Sequence, residues 1–183
     1  MSVAVVIQAR MGSTRLPGKV LEDLGGLPVL EWVVRACRAA ERVDEVVVAT
    51  STDAGDDAIE AAARGLGVAV VRGSEQDVLA RYVQALDEHP VDAVVRITAD
   101  CPFTDPALID AVVAAWQADP TLDYVSTVVV RTLPHGLDVE LARHRQEGLA
   151  AEEILAPVDR ALVGLGQVVH VERADAEHLA RTL

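Results

Sequence analysis

Val3-Ala-Val-Val-Ile-Gln-Ala-Arg-Met-Gly-Ser-Thr-Arg-Leu-Pro-Gly-Lys19 is the stretch whose reading decides the fold. Val3–Gln8 is a continuous β-branched run with no polar alternation. Such a run predicts a strand buried on both faces, as in a parallel sheet covered by helices. The segment from Ala9 to Gly26 then breaks regular structure with Gly and Pro, and reads as loop for most of its length. Inside it, Arg10, Arg15 and Lys19 place three cations within ten residues, among Gly12, Gly18, Ser13 and Thr14. Glycines let backbone approach a phosphate chain, and successive N–H groups form an anion nest. The pattern is not a Walker A loop, because Val20 stands where that motif needs a hydroxyl after its Lys.

Outward from the loop, strand and helix patterns alternate. Pro28 opens a helix over Val29–Ala40 with Leu30, Val33, Val34 and Cys37 as its apolar stripe. Glu45–Ala49 is a second buried strand, Asp53–Arg64 a helix closed near Gly65 and Gly67, and Val68–Val71 a third strand. Ser74 begins a capping box for a helix to about Leu86. Asp92–Thr98 is a fourth strand, and Asp105-Pro106 caps a helix to about Ala118. Tyr124–Val130, Leu137–Leu141 and Val168–Glu172 read as strands, Ala150–Val163 and Asp175–Thr182 as helices. The alternation predicts one α/β domain, a Rossmann-like three-layer α/β/α sandwich with a mostly parallel mixed sheet. Ligands of such sheets sit beyond the carboxyl ends of the strands, where Gln8, Thr50, Arg72 and Thr98–Asp100 fall.

Composition narrows the partners. Sixteen basic against 29 acidic residues give a net charge of −13, which disfavours nucleic acid and anionic membranes as partners. The single Lys of the chain, Lys19, lies in the glycine-rich loop. Two distant cysteines, Cys37 and Cys101, suggest reduced thiols and a cytoplasmic protein. The apolar start is only Val3–Ile7, with Arg10 close behind, so no signal peptide is expected, and no apolar run approaches a membrane span.

Asp100 ends a buried strand before Cys101-Pro102, so its carboxylate points into the crevice. Mg²⁺ favours such oxygen donors, using one or two carboxylates plus phosphate oxygens. Cys101 has no accompanying triad, and His89, His144, His170 and His178 lack metal spacing. Trp32 and Trp116 fall on helix faces and are expected in the core. Asp53–Asp57 reads as a solvated helix start favoured by the helix dipole.

The loop V-I-Q-A-R-M-G-S-T-R-L-P-G-K resembles the signature of the CTP-dependent nucleotidyltransferases, including those that make CMP sugars and the cytidylyltransferase-like proteins of spore-coat polysaccharide synthesis. Val71–Tyr82 resembles that group's nucleoside-side segment, Arg96–Pro102 its metal-binding strand end, and His135-Gly-Leu-Asp-Val-Glu140 its acceptor-side strand. The resemblance covers Val3–Glu140 and implies the nucleotide-diphospho-sugar transferase type of fold. Residues 1–100 become the nucleotide-binding half and residues 101–183 an abbreviated acceptor half. It implies that Arg10 and Lys19, helped by Arg15, hold the triphosphate, with Gln8, Gly12 and Ser13 of the same loop. Ala9 and Thr98 would face the base, and Arg72, Ser74 and Asp77 would wall the nucleoside. Asp100 would bind Mg²⁺, with Glu172 in the position of a second metal carboxylate and Asp138 its rival. His135, Asp138 and Glu140 would meet the acceptor. CTP and a small-molecule acceptor are the implied partners, and the family habit is a homodimer. A non-catalytic nucleotide-binding module and a glycosyltransferase using a nucleotide sugar remain open alternatives.

Overall fold

The computed structural model describes residues 1–128, 132–144 and 168–170. Strand β1 (Val3–Gln8) leads into the long loop, which contains a single 3₁₀ turn at Lys19–Leu21 and a two-strand hairpin, β2 (Asp23–Leu24) and β3 (Leu27–Pro28). Then follow α1 (Val29–Ala39), β4 (Glu45–Ser51), α2 (Asp57–Gly65), β5 (Ala69–Gly73), α3 (Val78–Glu88), β6 (Ala93–Thr98) and α4 (Pro106–Ala118). Strands β7 (Tyr124–Ser126), β8 (Glu140–Arg143) and β9 (Val168–His170) complete the sheet.

The seven strands of the main sheet lie in the order β5-β4-β1-β6-β8-β7-β9. Only β8 is antiparallel to its neighbours; the other pairings are parallel. The pleat explains the apolar runs. Val3, Val5 and Ile7 pack with Leu30 and Val33 of α1, Ile59 of α2 and Ile109 and Val112 of α4. Val6 packs on the opposite face with Tyr82, Ala85 and Leu86 of α3. Two cores on either side of one sheet make the three-layer sandwich that strand–helix alternation predicts.

Several local expectations are corrected. Strand β4 runs two residues beyond Ala49, to Ser51, and β5 is displaced toward Gly73. Helix α3 begins at Val78, not at the Ser74 capping box. Its cap is Asp77, whose carboxylate accepts from Ala80 N at 2.9 Å, while Ser74 Oγ accepts from Asp77 N at 3.1 Å. Strand β8 is shifted to Glu140–Arg143. Trp116 is buried, but Trp32 is 38% exposed, its indole N–H donating to Leu24 O and pinning the β2–β3 hairpin. The readings over Ala150–Val163 and Asp175–Thr182, and the ends of two strand readings at Val129–Val130 and Val171–Glu172, lie outside the described residues.

The acidic run Asp53–Asp57 is corrected most. Asp56 is buried and accepts four hydrogen bonds: from Met11 N at 2.7 Å, from Ser51 N and Thr50 Oγ1 at 3.1 Å, and from Ser51 Oγ. Burial raises its pKa, but the bonds from Ser51, Met11 and Thr50 outweigh that effect and hold the carboxyl below its ordinary value. Asp56 thus ties the end of β4 to the first turn of the loop after β1. A group with a depressed folded-state pKa stabilises above its unfolded pKa, and that contribution fades as pH falls through the folded value. We expect Asp56→Ala to lose about 3 kcal/mol of stability at pH 7 in urea unfolding, with the gap to wild type narrowing below about pH 4.

Candidate functional site

The chain leaves β1 toward β4 and β5, then returns through α3 to β6 on β1's other side. Strand order therefore reverses between β1 and β6, and the loops after these two strands diverge into a crevice. Gln8 and Thr98 are register partners at that edge. The crevice holds a cavity of about 230 Å³. Its loop wall is Arg10, Ser13, Thr14, Arg15 and Lys19; its strand floor is Gln8, Arg96, Thr98 and Asp100.

The loop is folded by its own backbone. Ala9 N donates to Ala49 O at 3.0 Å and Ala99 N to Gln8 O at 2.9 Å, so its root is fixed to both neighbouring strands. Ser13 N and Gly18 N both donate to Met11 O, at 2.8 and 3.0 Å, which closes the loop into a ring. Gly18 has φ +74°, a left-handed conformation that glycine adopts without the Cβ clash. Lys19 then follows in the 3₁₀ turn, and its ammonium donates to Asp100 Oδ2 across the crevice. Burial raises the Asp100 pKa, but the Lys19 bond and charge, followed by Thr98, outweigh it and hold the carboxyl below the usual carboxylate value. Burial, with Asp100 adding to it, raises the Cys101 thiol against the Thr98 hydroxyl 3.0 Å away. That thiol stays protonated at neutral pH and is a poor nucleophile.

Below this rim, Arg96 forms an ion pair with Glu140, and Tyr124 OH donates to the other Glu140 oxygen at 2.7 Å. Gln8 Oε1 is buried without a hydrogen-bond partner among the described residues, an acceptor waiting for a donor.

The crevice brings together Gln8, Arg10, Ser13, Arg15, Lys19, Thr98 and Asp100, which were read separately in the sequence. Ala9 is buried at the loop root. Gly12 is exposed on the loop and is not among the residues lining the cavity. Arg72 is engaged elsewhere: it donates to Ser51 O at 2.7 Å and Asp53 O at 2.9 Å and pairs with Asp57 and Glu60. Ser74 and Asp77 cap α3, and none of these three lines the cavity. Glu140 turns to Arg96 and Tyr124, not to the cavity, while exposed His135 and half-buried Asp138 stand outside the lining. Glu172 lies outside the described residues. Arg96 and Asp56 were missed in the sequence. The available signal for Arg96 was a charge interrupting the buried run Ala93–Thr98, matched by Glu140 in the apolar run that follows.

No group of three or more His, Cys, Asp or Glu suited to a metal occurs among the described residues. Asp100, ionised and about a third exposed (35% of its side chain), fits a hard cation that takes one carboxylate and completes its shell with phosphate oxygens and water.

Residues 4–144 match the family model for cytidylyltransferases. The spore coat polysaccharide biosynthesis protein SpsF of Bacillus subtilis is 42% identical over 126 residues, 67% of this chain and 52% of that protein. A 3-deoxy-manno-octulosonate cytidylyltransferase of Bdellovibrio bacteriovorus is 35% identical over 143 residues, 76% of this chain and 53% of that enzyme. The chain spans about half the length of these curated relatives. Among solved structures, a cytidylyltransferase from Leptospira borgpetersenii superposes with a TM-score of 0.78 at 29% identity, over 99% of this chain and 73% of that one. A CMP:2-keto-3-deoxy-manno-octonic acid synthetase solved with CTP gives 0.71 at 18% identity over 100% of both chains, a likeness of fold.

The Lys19–Asp100 contact has a direct readout. Carboxyl ¹³C titration should place Asp100 below the ordinary aspartate midpoint of about 3.9, and Lys19→Met should move that midpoint up.

Proposed function

This chain belongs to the cytidylyltransferase family, and we propose that it transfers CMP from CTP to a small acceptor, releasing pyrophosphate. The observation that carries this reading is the closed loop of three cations facing Asp100 across the crevice between β1 and β6. CTP as donor is supported by the family match and by the relatives' names; a sugar acid as acceptor is supported by the octulosonate enzymes among those relatives.

In the proposed reaction an acceptor hydroxyl oxygen attacks the α-phosphorus in line. A new O–P bond forms, the bond to the β-phosphate oxygen breaks, and the hydroxyl proton leaves to water. Arg10, Arg15 and Lys19 hold the β- and γ-phosphates, and their charge stabilises the departing pyrophosphate. Ser13 would offer its hydroxyl from the same loop, its N–H being engaged by Met11 O. Catalysis of this kind is positioning and charge neutralisation, with no protein nucleophile. Mg²⁺ held by Asp100 would supply charge at the α-phosphate oxygens.

The backbone near Ala9 and the side chain of Thr98 would meet the base. Arg72, Ser74 and Asp77 would act on the nucleoside through the segment that they shape between β5 and α3. Residues 1–100 form the nucleotide half and residues 101–183 the acceptor half, where His135, Asp138 and Glu140 stand. Glu172 is the proposed second carboxylate. Two free thiols support cytoplasmic work, and no described helix is long and apolar enough to cross a membrane. The acidic charge argues against nucleic acid as a partner, and a homodimer completes the reading.

Calorimetric titration with CTP, UTP, ATP and GTP, with and without Mg²⁺, tests it. CTP should bind at least about tenfold tighter than the others, a difference of 1.4 kcal/mol. In pyrophosphate-release assays with sugar acids, phosphonates and sugar phosphates, Asp100→Asn should lower turnover by about 100-fold or more. CTP binding without turnover on any acceptor would favour the binding-module alternative; no triphosphate binding at all would overturn both.

A further inference from the structure

Helix α3 carries one charge that the transfer reaction, as written above, does not use. Arg81, Tyr82, Ala85 and Leu86 form the face that α3 turns to the sheet, a stripe where apolar residues are expected. Arg81 is fully buried there. Its Nη1 donates to Ser74 O and, at 3.3 Å, to Glu75 O. Among the described residues Nε and Nη2 have no partner, and none of the three nitrogens bonds a carboxylate. Burial pulls the pKa of the guanidinium down, Arg10 adding to that effect against Tyr82, Asp56 and Glu75. An Arg side chain nevertheless keeps its charge.

A buried charge with so few partners works against stability, and an apolar residue of like size would pack the same face as well or better. What the guanidinium does accomplish is local. Ser74, Glu75, Gln76 and Asp77 are all exposed and link β5 to α3. At the helix end this segment is tied by the Ser74 and Asp77 caps. At its start, from beneath, Arg81 takes both carbonyls. Gly73 makes room for the arm: a Cβ there would lie 2.7 Å from Arg81 Cγ and 3.0 Å from Gln84 Oε1, too close for a side chain to stay without displacement. On its other side the segment meets the phosphate loop, where a Cβ at Gly12 would stand 3.4 Å from Glu75 Oε1. The guanidinium thus anchors a segment that runs from β5 to the loop carrying Arg10, Arg15 and Lys19.

Resting on the reading of this crevice as a cytidylyl-transfer site, we propose that Arg81 is a positioning residue for the nucleoside of CTP. It fixes the backbone of Ser74 and Glu75, and that backbone sets where the wall beside the ribose and base stands. Arg81 itself is sealed under the segment and touches no ligand. The triphosphate is held by the loop and not by this wall. Loss of the guanidinium therefore weakens the hold on the nucleoside and leaves the hold on the phosphates. An apolar replacement fills the volume but offers no donor, so the two carbonyls turn to water and the segment loses its fixed position.

The test is calorimetry with CTP and Mg²⁺, and with inorganic tripolyphosphate, on wild type, Arg81→Met, Gly73→Ala and the double variant, with a thermal melt of each. Tripolyphosphate carries the phosphate chain without the nucleoside. Arg81→Met should melt no lower than wild type, because apolar packing replaces an unpaired buried charge. It should bind CTP about 20-fold more weakly, the scale of lost charge-assisted hydrogen bonds. Its affinity for tripolyphosphate should stay within about twofold of wild type. Gly73→Ala, whose methyl group would push on the arm, should weaken CTP binding alone and add nothing to Arg81→Met, as for two changes at one contact. An Arg81→Met protein that melts lower, or without cooperativity, makes the residue a stability element and overturns the proposal. So does one that keeps CTP affinity, or that loses tripolyphosphate in step with CTP, and so do losses that multiply in the double variant. If wild type binds CTP but not tripolyphosphate, the melt and the CTP affinity of Arg81→Met decide. The parent reading is judged on wild type alone: absence of CTP binding there overturns both, whereas equal CTP affinity in wild type and Arg81→Met overturns only this proposal.

Discussion

Everything in the crevice depends on the hydrogen-bond ladder that locks β1 on both edges. Its five register pairs with β4 and six with β6 leave Val3–Ile7 with no free edge, and both faces lie under helices. Such a strand end is the least mobile point that an α/β sheet offers. The loop that grows from it inherits that fixity through Ala9 N on Ala49 O and Met11 N on Asp56. Long glycine-containing loops carry a large entropy of ordering, and here the cost is met by a few bonds made close to the root, leaving the cationic stretch from Arg10 to Lys19 to shape the ligand side.

Charge in the crevice is arranged as an exchange. Without a ligand, Lys19 and Asp100 neutralise one another, which keeps a cation and an anion from lying unpaired in a partly desolvated cleft. Under the proposed reading, a triphosphate with its cation would offer each a stronger partner. The net charge of −13 acts against anionic ligands at long range, so Arg10, Arg15, Lys19 and Arg96, gathered at one cavity, are a local exception felt only at contact distance.

The buried side of the crevice follows a different logic. Arg96, Glu140, Tyr124 and Tyr82 join β6, β8, β7 and α3 through polar groups in a sheet otherwise built of Val, Ile, Leu and Ala. Burial favours the neutral phenols and pushes both tyrosine hydroxyls up, so they act as donors at any physiological pH. The network fixes the register of β6 against β8, since a slip of one residue would turn Arg96 toward the apolar face packed by α4.

The buried runs Val3–Gln8, Glu45–Ala49 and Asp92–Thr98, with the helices between them, determined the α/β class, because a strand covered on both faces needs apolar residues at nearly every position. The cationic glycine-rich loop and Asp100 stood out as candidates for a similar reason, since their residue types lie close together in the chain or at a strand end, and the fold brings them to one cavity. What the tertiary structure alone decided are relations between distant residues. Arg96 and Glu140 are 44 residues apart, Lys19 and Asp100 are 81 apart, and Asp56 looks like any acidic residue at a helix start until Met11 is seen to reach it. Sequence periodicity reports which face of its own element a residue occupies. It carries no information on which polar group of another element lies opposite, because that partner is chosen by strand order and register.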